Sequence, residues 1–186
     1  FDYRARSSVA LDYEGCMYYL KPFREKFAED RWNTYWILKY QNWNTAESEA
    51  DPPMSCINER AIRYADVLLL LAESYLRGKQ DLPMAIGYLN QIRERANLNP
   101  YSGAQTYEAV FNDLERQRAI EFFVEGERFY DLRRWGLLEK RMQTCNEVRY
   151  KQLMTGKVGD TNRYYYYPIP SKELETNPLC TPNEGW

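Results

Sequence analysis

The chain has 186 residues, of which 44% are hydrophobic and 28% are charged, and its formal net charge is −2. This length and composition predict a folded domain with a sizeable core and exclude a disordered chain. The small net charge gives no electrostatic support for a nucleic-acid partner, and no apolar run approaches the roughly 18 residues of a membrane-spanning helix.

Residues 1–57 are predicted to form a loop-rich segment, because apolar and polar residues mix there without a helical period. Within it, residues 35–40 (YWILKY) are β-prone and predict a short strand. Residues 41–53 end in Asp-Pro-Pro and predict an exposed loop.

The same segment contains the best candidate for a ligand surface. Trp32 and Trp43 offer flat aromatic faces that can stack on the apolar side of a sugar ring, and Asn33 and Asn44 offer amide groups to its hydroxyls. Binding residues concentrate on loops. The alternative is that these aromatic side chains only fill the scaffold, and the sequence leaves both readings open.

Residues 58–140 are predicted to form a helical scaffold. Asn58 is the predicted N-cap of a first helix that ends at Gly78, and residues 85–96 predict a second helix packed against it as a hairpin. The apolar residues of the first helix that recur at helical spacing are Ile62, Ala65, Leu68, Leu69, Ala72, Tyr75 and Leu76.

A second hairpin is predicted further along the chain. Thr106 is the predicted N-cap of a third helix that runs to Glu125, and a fourth helix follows Gly126 and ends near Gly136. The predicted fold class is mainly α, with tetratricopeptide-like helical hairpins, irregular loops and a few short strands.

Residues 115–135 combine many large apolar side chains with balanced charges, and every cation among them is an arginine. Their spacing of three or four positions predicts a structural ion-pair network along the helices. The same spacing predicts a pair between Arg63 and Asp66 on the first helix. The predicted members of the network are Arg118, Glu121, Glu125, Arg128, Asp131 and Arg134.

The alternative for Glu121 and Glu125 is a catalytic acid/base pair. Arginine neighbours keep carboxylates ionised, whereas a glycosidase acid needs a raised pKa. The sequence has no histidine, which also excludes Ser–His and Cys–His catalysis. We therefore predict no catalytic residue.

Residues 141–186 are predicted to be an extended, loop-like segment. Pro168 and Pro170 exclude a helix directly after the tyrosine run at 164–167, which predicts a β edge or, alternatively, a binding platform. Ser171 is a predicted cap of a short turn.

The sequence predicts neither a metal site nor a cofactor. The four cysteines are far apart and form no CxxC pair, and histidine ligands are absent. Disulfide bonds among the cysteines stay open. They are Cys16, Cys56, Cys145 and Cys180.

Five segments, in this order, resemble the C-terminal half of the SusD/RagB family. They are residues 35–40, the helix at 61–74, the helix at 85–96, the block at 121–135 and the ending at 168–178. The chain departs from the family pattern at Glu127, where histidine is frequent, and at Phe129, where tryptophan is common. From this resemblance we expect the chain to be the C-terminal part of a longer protein.

The resemblance implies a surface-exposed outer-membrane lipoprotein of Bacteroidota. Such a protein captures an oligosaccharide, or in some relatives a peptide, and delivers it to a SusC-like TonB-dependent transporter without breaking a bond. Its membrane contact would come only from a lipid anchor outside this chain. Two alternatives stay open, a helical-repeat adaptor that binds only proteins and a glycoside hydrolase.

Overall fold

The computed structural model describes residues 2–19, 21–40, 57–58, 60–144 and 166–183. The chain forms two compact units, residues 1–125 and residues 126–186. The boundary between them falls inside the segment 58–140, which the sequence predicted as one scaffold. As predicted, the fold is mainly helical with a few short strands.

The first unit begins with a short helix, α1 (Tyr3–Ser8), whose N-cap Asp2 accepts a hydrogen bond from the backbone N–H of Arg4. The sequence predicts a loop-rich segment here and does not single out α1. Because α1 buries the polar residues Arg4 and Ser8, its sequence carries no apolar period.

Short strands follow α1. Strand β1 (Val9–Ala10) pairs antiparallel with β4 (Trp36–Ile37), which confirms the strand predicted within residues 35–40. Between them lie the elements β2 (Met17–Tyr18), β3 (Lys21–Pro22), α2 (Phe23–Lys26) and a 3₁₀ turn (Glu29–Arg31). Their small core consists of Ala10, Cys16, Phe23 and Leu38, with Tyr13, Tyr18, Phe27, Trp32 and Trp36 packed around it.

The larger core of the first unit lies among three helices. Helix α3 (Tyr64–Ser74) continues as a π-helical turn (Tyr75–Lys79) and packs against α4 (Leu82–Arg95), which forms the predicted hairpin. Helix α5 (Tyr107–Glu121) contacts both. The fully buried side chains among them include Leu69, Leu76, Leu89, Val110 and Leu114.

Two details of the first predicted helix are wrong. The helix starts at Tyr64 with Arg63 at its N-cap, not at Asn58, and Ile62 lies before it with 75% of its surface exposed. The backbone at Arg63 is extended (φ −116°, ψ 153°), as is usual for an N-cap residue. The helix passes through Gly78 and ends at Lys79, where Gln80 adopts a left-handed conformation (φ 54°).

Helix α5 begins as predicted, since the Thr106 side chain accepts a hydrogen bond from the N–H of Ala109 at 3.3 Å. It ends at Glu121 rather than at Glu125. Val124 in the turn that follows has a positive φ of 64°, which is incompatible with a continuing helix.

The second unit contains α6 (Glu127–Arg134), α7 (Leu138–Gln143) and α8 (Ser171–Thr176). Gly126 precedes α6 with φ 86°, a conformation that glycine adopts without strain. Because α5 and α6 belong to different units, their packing as a second hairpin stays a prediction. Ser171 is the first residue of α8, and its N-cap is Pro170.

The predicted β edge at the tyrosine run is wrong where the structure describes it. Tyr166 and Tyr167 lie outside any strand and expose 61% and 70% of their surface. Tyr164 and Tyr165 lie outside the described residues. Across the described ranges, no helix combines the length and apolar character needed to cross a membrane.

Candidate functional site

Glu121, at the end of α5, is held by arginines from three other parts of the first unit. Only 2% of its side chain is exposed. Arg95 donates to its carboxylate at 2.6 Å, Arg63 at 2.8 Å and Arg4 at 3.5 Å. Its two carboxylate oxygens are therefore occupied by cationic donors.

Glu125 shares one of these partners. Arg63 donates from Nε at 2.7 Å and from Nη2 at 2.8 Å, which makes a bidentate pair. Lys39 forms an ion pair with Glu125 and also donates to the backbone oxygen of Glu121 at 2.8 Å. Arg63 and Lys39 thus join the region just before α3 and the region just after β4 to the end of α5.

The protonation of Glu121 follows from these contacts. Burial alone would raise the pKa of Glu121, but the hydrogen bonds and positive charges of Arg63 and Arg95 outweigh it and lower the pKa. A carboxylate in this environment stays ionised at neutral pH. It is unsuited to the role of a general acid, which has to carry a proton.

Among the remaining predicted members of the ion-pair network, some pair with a residue on the same helix and others with a residue on another helix. Arg118 donates to Asp66 on α3 at 2.8 Å, so the predicted pair between Arg63 and Asp66 is wrong. Asp131 and Arg134, three residues apart on α6, are 2.8 Å apart as predicted. The predicted pairing of Arg128 with Glu125 would join the two units and stays a prediction.

A polar cleft of about 380 Å³ opens beside Glu121 and Glu125. We refer to it as the Glu121 cleft. Because most of its charged groups already bind one another, it offers few free donors or acceptors to a ligand. The charged residues that line it are Arg4, Lys39, Arg60, Arg63, Arg95, Glu121 and Glu125.

A second cavity, of about 510 Å³, lies in the N-terminal loops. Its lining combines apolar side chains with three charged ones, Asp12, Glu14 and Arg24. Arg24 donates from Nε and Nη2 to the two carboxylate oxygens of Asp12, at 2.8 and 2.9 Å. We refer to this space as the loop cavity; its other lining residues are Tyr13, Gly15, Cys16, Met17, Pro22 and Phe23.

Two of the four predicted ligand residues are described. Trp32 is half-buried, its indole N–H donates to the backbone oxygen of Phe27 at 3.0 Å, and the guanidinium of Arg24 lies 4.6 Å from its ring centroid. Asn33 is exposed beside it. The Trp32 ring therefore packs against Arg24, which lines the loop cavity, and its indole N–H is already hydrogen-bonded. Trp43 and Asn44 lie outside the described residues.

Two exposed tyrosines of the second unit, Tyr130 and Tyr167, interact through their side chains. The phenols of Tyr130 and Tyr167 are hydrogen-bonded, and this bond, together with the charge of Tyr167, raises the pKa of Tyr130. Asn183 donates to the backbone oxygen of Tyr167 at 2.6 Å.

The sequence alone predicts neither the partners of Glu121 nor the loop cavity. The arginines on Glu121 are separated from it by 26, 58 and 117 residues, beyond the reach of any spacing rule for a single helix. Within the described residues, no group of three or more cysteine, aspartate or glutamate side chains is placed to hold a metal ion.

Comparison with known proteins gives consistent matches. The model of the SusD family matches residues 24–186. SusD-like protein P2 of Formosa agariphila is 31% identical over 137 residues, which cover 69% of this chain and 26% of that protein. The starch-binding protein SusD of Bacteroides thetaiotaomicron is 30% identical over 155 residues, which cover 81% of this chain and 26% of that protein.

A solved structure is similar over the whole chain. The crystal structure of a SusD superfamily protein from Bacteroides vulgatus superposes with a TM-score of 0.89 at 69% sequence identity, covering 100% of this chain and 40% of that one. The chain spans about a quarter of the length of the curated relatives that it matches.

Proposed function

Because this chain belongs to the SusD family, we propose that the protein captures a nutrient at the cell surface, most often an oligosaccharide, without chemical change. The observation that carries the proposal is the family match over residues 24–186, with a starch-binding protein among the relatives. A peptide ligand is the second class that the family resemblance allows.

The geometry around the buried carboxylates argues against a catalytic role for them. Glycosidases place a proton-carrying carboxylic acid opposite a second carboxylate across the scissile bond. Here the pKa of Glu121 is lowered, and Glu125 is bound bidentately by Arg63. Both side chains work as anchors for α5, so the acid that hydrolysis requires would have to come from elsewhere.

We propose further that the ligand passes to a SusC-like TonB-dependent transporter, and that a lipid anchor outside this chain holds the protein on the outer membrane. The support for both is the family resemblance. The aromatic segment with Trp32, Asn33, Trp43 and Asn44 is the proposed ligand surface, in accord with the half-buried indole of Trp32 and the exposed amide of Asn33.

Isothermal titration of the full-length protein against a panel of glycans and peptides tests the proposal. We expect at least one glycan to bind, and Trp43→Ala to weaken that binding. Replacement of an exposed aromatic on α5, Tyr107→Ala, is the control and should leave it unchanged.

Two results would speak against capture. If the folded protein binds no glycan and no peptide, the ligand proposal is wrong. If it also retains a TonB-dependent transporter in a pull-down, a protein-binding helical adaptor becomes the better description.

A further inference from the structure

The loop cavity has the composition of a small-molecule site. Such sites have volumes of roughly 300–1,000 Å³ and combine apolar walls with a few converging polar groups. The loop cavity measures about 510 Å³, its floor includes the buried side chains of Cys16 and Phe23, and its polar groups are Asp12, Glu14 and Arg24. We propose that the loop cavity is a subsite for a neutral saccharide unit, an inference that rests on the proposed function.

Two of the polar groups of the loop cavity, Asp12 and Arg24, hold each other in place without a ligand. Arg24 exposes 65% of its side chain, yet its guanidinium is bound bidentately by Asp12 and lies over the ring of Trp32. The Asp12 pair uses Nε and one N–H of Nη2, so Nη1 remains available to a ligand. A donor fixed in this way loses little conformational freedom when a sugar hydroxyl binds.

Tyr13 supplies an aromatic wall. Its ring packs against the core of the N-terminal loops and has the guanidinium of Arg6 at 5.1 Å from its centroid. Burial, and next a hydrogen bond with the neighbouring Cys16 thiol, raise the pKa of Tyr13, so its phenol stays neutral at physiological pH. Tyr13 thus combines an apolar surface with a polar tip.

The backbone around this wall is also fixed. The N–H of Cys16 donates to the oxygen of Tyr13 at 3.1 Å, and the N–H of Phe23 donates to the oxygen of Cys16 at 2.9 Å. Gly15 lies in the turn between Tyr13 and Cys16 and has φ 80°, in the left-handed region that glycine tolerates. These bonds connect Tyr13 and the start of α2 to Cys16, and all three line the cavity.

The charges select between classes of saccharide. The two carboxylates of Asp12 and Glu14 outnumber the single cation Arg24, so the lining is negative and repels a sulfate ester or a uronate. A neutral sugar carries only hydroxyls, which can accept from Arg24 and donate to the carboxylates. The Glu121 cleft has the opposite lining, with cations in excess, but Arg4, Lys39, Arg63 and Arg95 are bound to Glu121 or Glu125.

Titration of the full-length protein with a neutral oligosaccharide that it binds tests the subsite. Arg24→Met should weaken that binding by about tenfold or more, the effect of losing a charged hydrogen-bond donor. Arg31→Met is the matched control, because Arg31 is also an exposed arginine beside an aspartate but does not line the cavity. Circular dichroism of both variants shows whether they are folded.

A second variant tests the charge argument even if Arg24→Met does not fold. Glu14→Gln removes a negative charge from the rim, so it should raise the affinity for a sulfated or uronate-containing oligosaccharide relative to the neutral one. A purely structural role of this loop would leave that ratio unchanged.

The outcomes separate this inference from the proposed function. If the wild-type protein binds the glycan and neither Arg24→Met nor Glu14→Gln alters affinity or the neutral-to-acidic ratio, the subsite is wrong and glycan capture stands. If the wild-type protein binds no saccharide, the proposed function fails, and the subsite fails with it.

Discussion

Glu121 is surrounded by arginine side chains that are far from it in the sequence. Burying a charge is costly unless it is paired, and removing the partner of a buried charge leaves the other charge uncompensated. Here one carboxylate connects α1, the residue before α3, the end of α4 and the end of α5. The contact therefore fixes the geometry of several elements at once.

Replacing this carboxylate should destabilise the protein without affecting any chemistry. We expect Glu121→Gln to lower the free energy of unfolding by about 3 kcal/mol, because Arg63 and Arg4 lose a charged acceptor in a buried place. Glu94→Gln, at an exposed position of α4, is the matched control and should change stability by less than about 0.5 kcal/mol. Equal effects of the two substitutions in urea unfolding would contradict the anchoring role.

The same carboxylate predicts a dependence on pH. The folded state lowers the pKa of Glu121 from its ordinary value of 4.5, so the folded state binds this proton less readily than the unfolded state does. Its contribution is fully present above pH 4.5 and is lost as the pH falls through the folded pKa. Urea unfolding between pH 7 and pH 3 should show a shallower acid loss in Glu121→Gln than in the wild type; parallel curves would argue against it.

At this scale, the sequence predicts which residues carry charge but not which of them meet. The spacing of Asp131 and Arg134 led to the correct pair because both lie on one turn of α6. The spacing of Arg63 and Asp66 predicts an ion pair that does not form. Arg63 pairs with Glu121 and Glu125, whereas Asp66 pairs with Arg118. These partners depend on how α3 and α5 pack.

At the scale of elements, the α3–α4 hairpin owes its packing to apolar side chains that the helical period identified. Leu69, Leu76 and Leu89 are fully buried between the helices. The helical period of the apolar residues predicts this hairpin correctly because one face of each helix is apolar throughout. The same period does not reveal α1, which buries Arg4 and Ser8. Asn58 is not the N-cap of α3, because N-cap preference alone does not locate the start of a helix.

Truncation of one of these leucines tests the core assignment. Leu89→Ala should lower the free energy of unfolding by about 2–5 kcal/mol, since it removes buried methyl groups and leaves a cavity. Leu179→Ala is the matched control because Leu179 is almost fully exposed in the second unit. A loss below about 1 kcal/mol for Leu89→Ala in chemical denaturation would mean that α4 does not pack as described.

At the scale of the whole molecule, motif order predicted the family better than any single residue predicted the site. Five short segments in sequence led to the SusD family, and the family match over residues 24–186 confirms it. The candidate site was only partly predictable. The flat ring of Trp32 marks it as a candidate in the sequence, but Asp12 and Arg24, which line the cavity beside it, carry no sequence signal until the loops fold together.

We propose that the protein binds a saccharide and leaves it intact. The most direct test incubates the full-length protein with a glycan that it binds, and measures both the mass of the recovered glycan and the release of reducing ends. We predict an unchanged mass and no new reducing ends, for the wild type and for Glu125→Gln alike. Reducing ends that appear with the wild type and vanish with Glu125→Gln would show instead that the protein is a glycoside hydrolase.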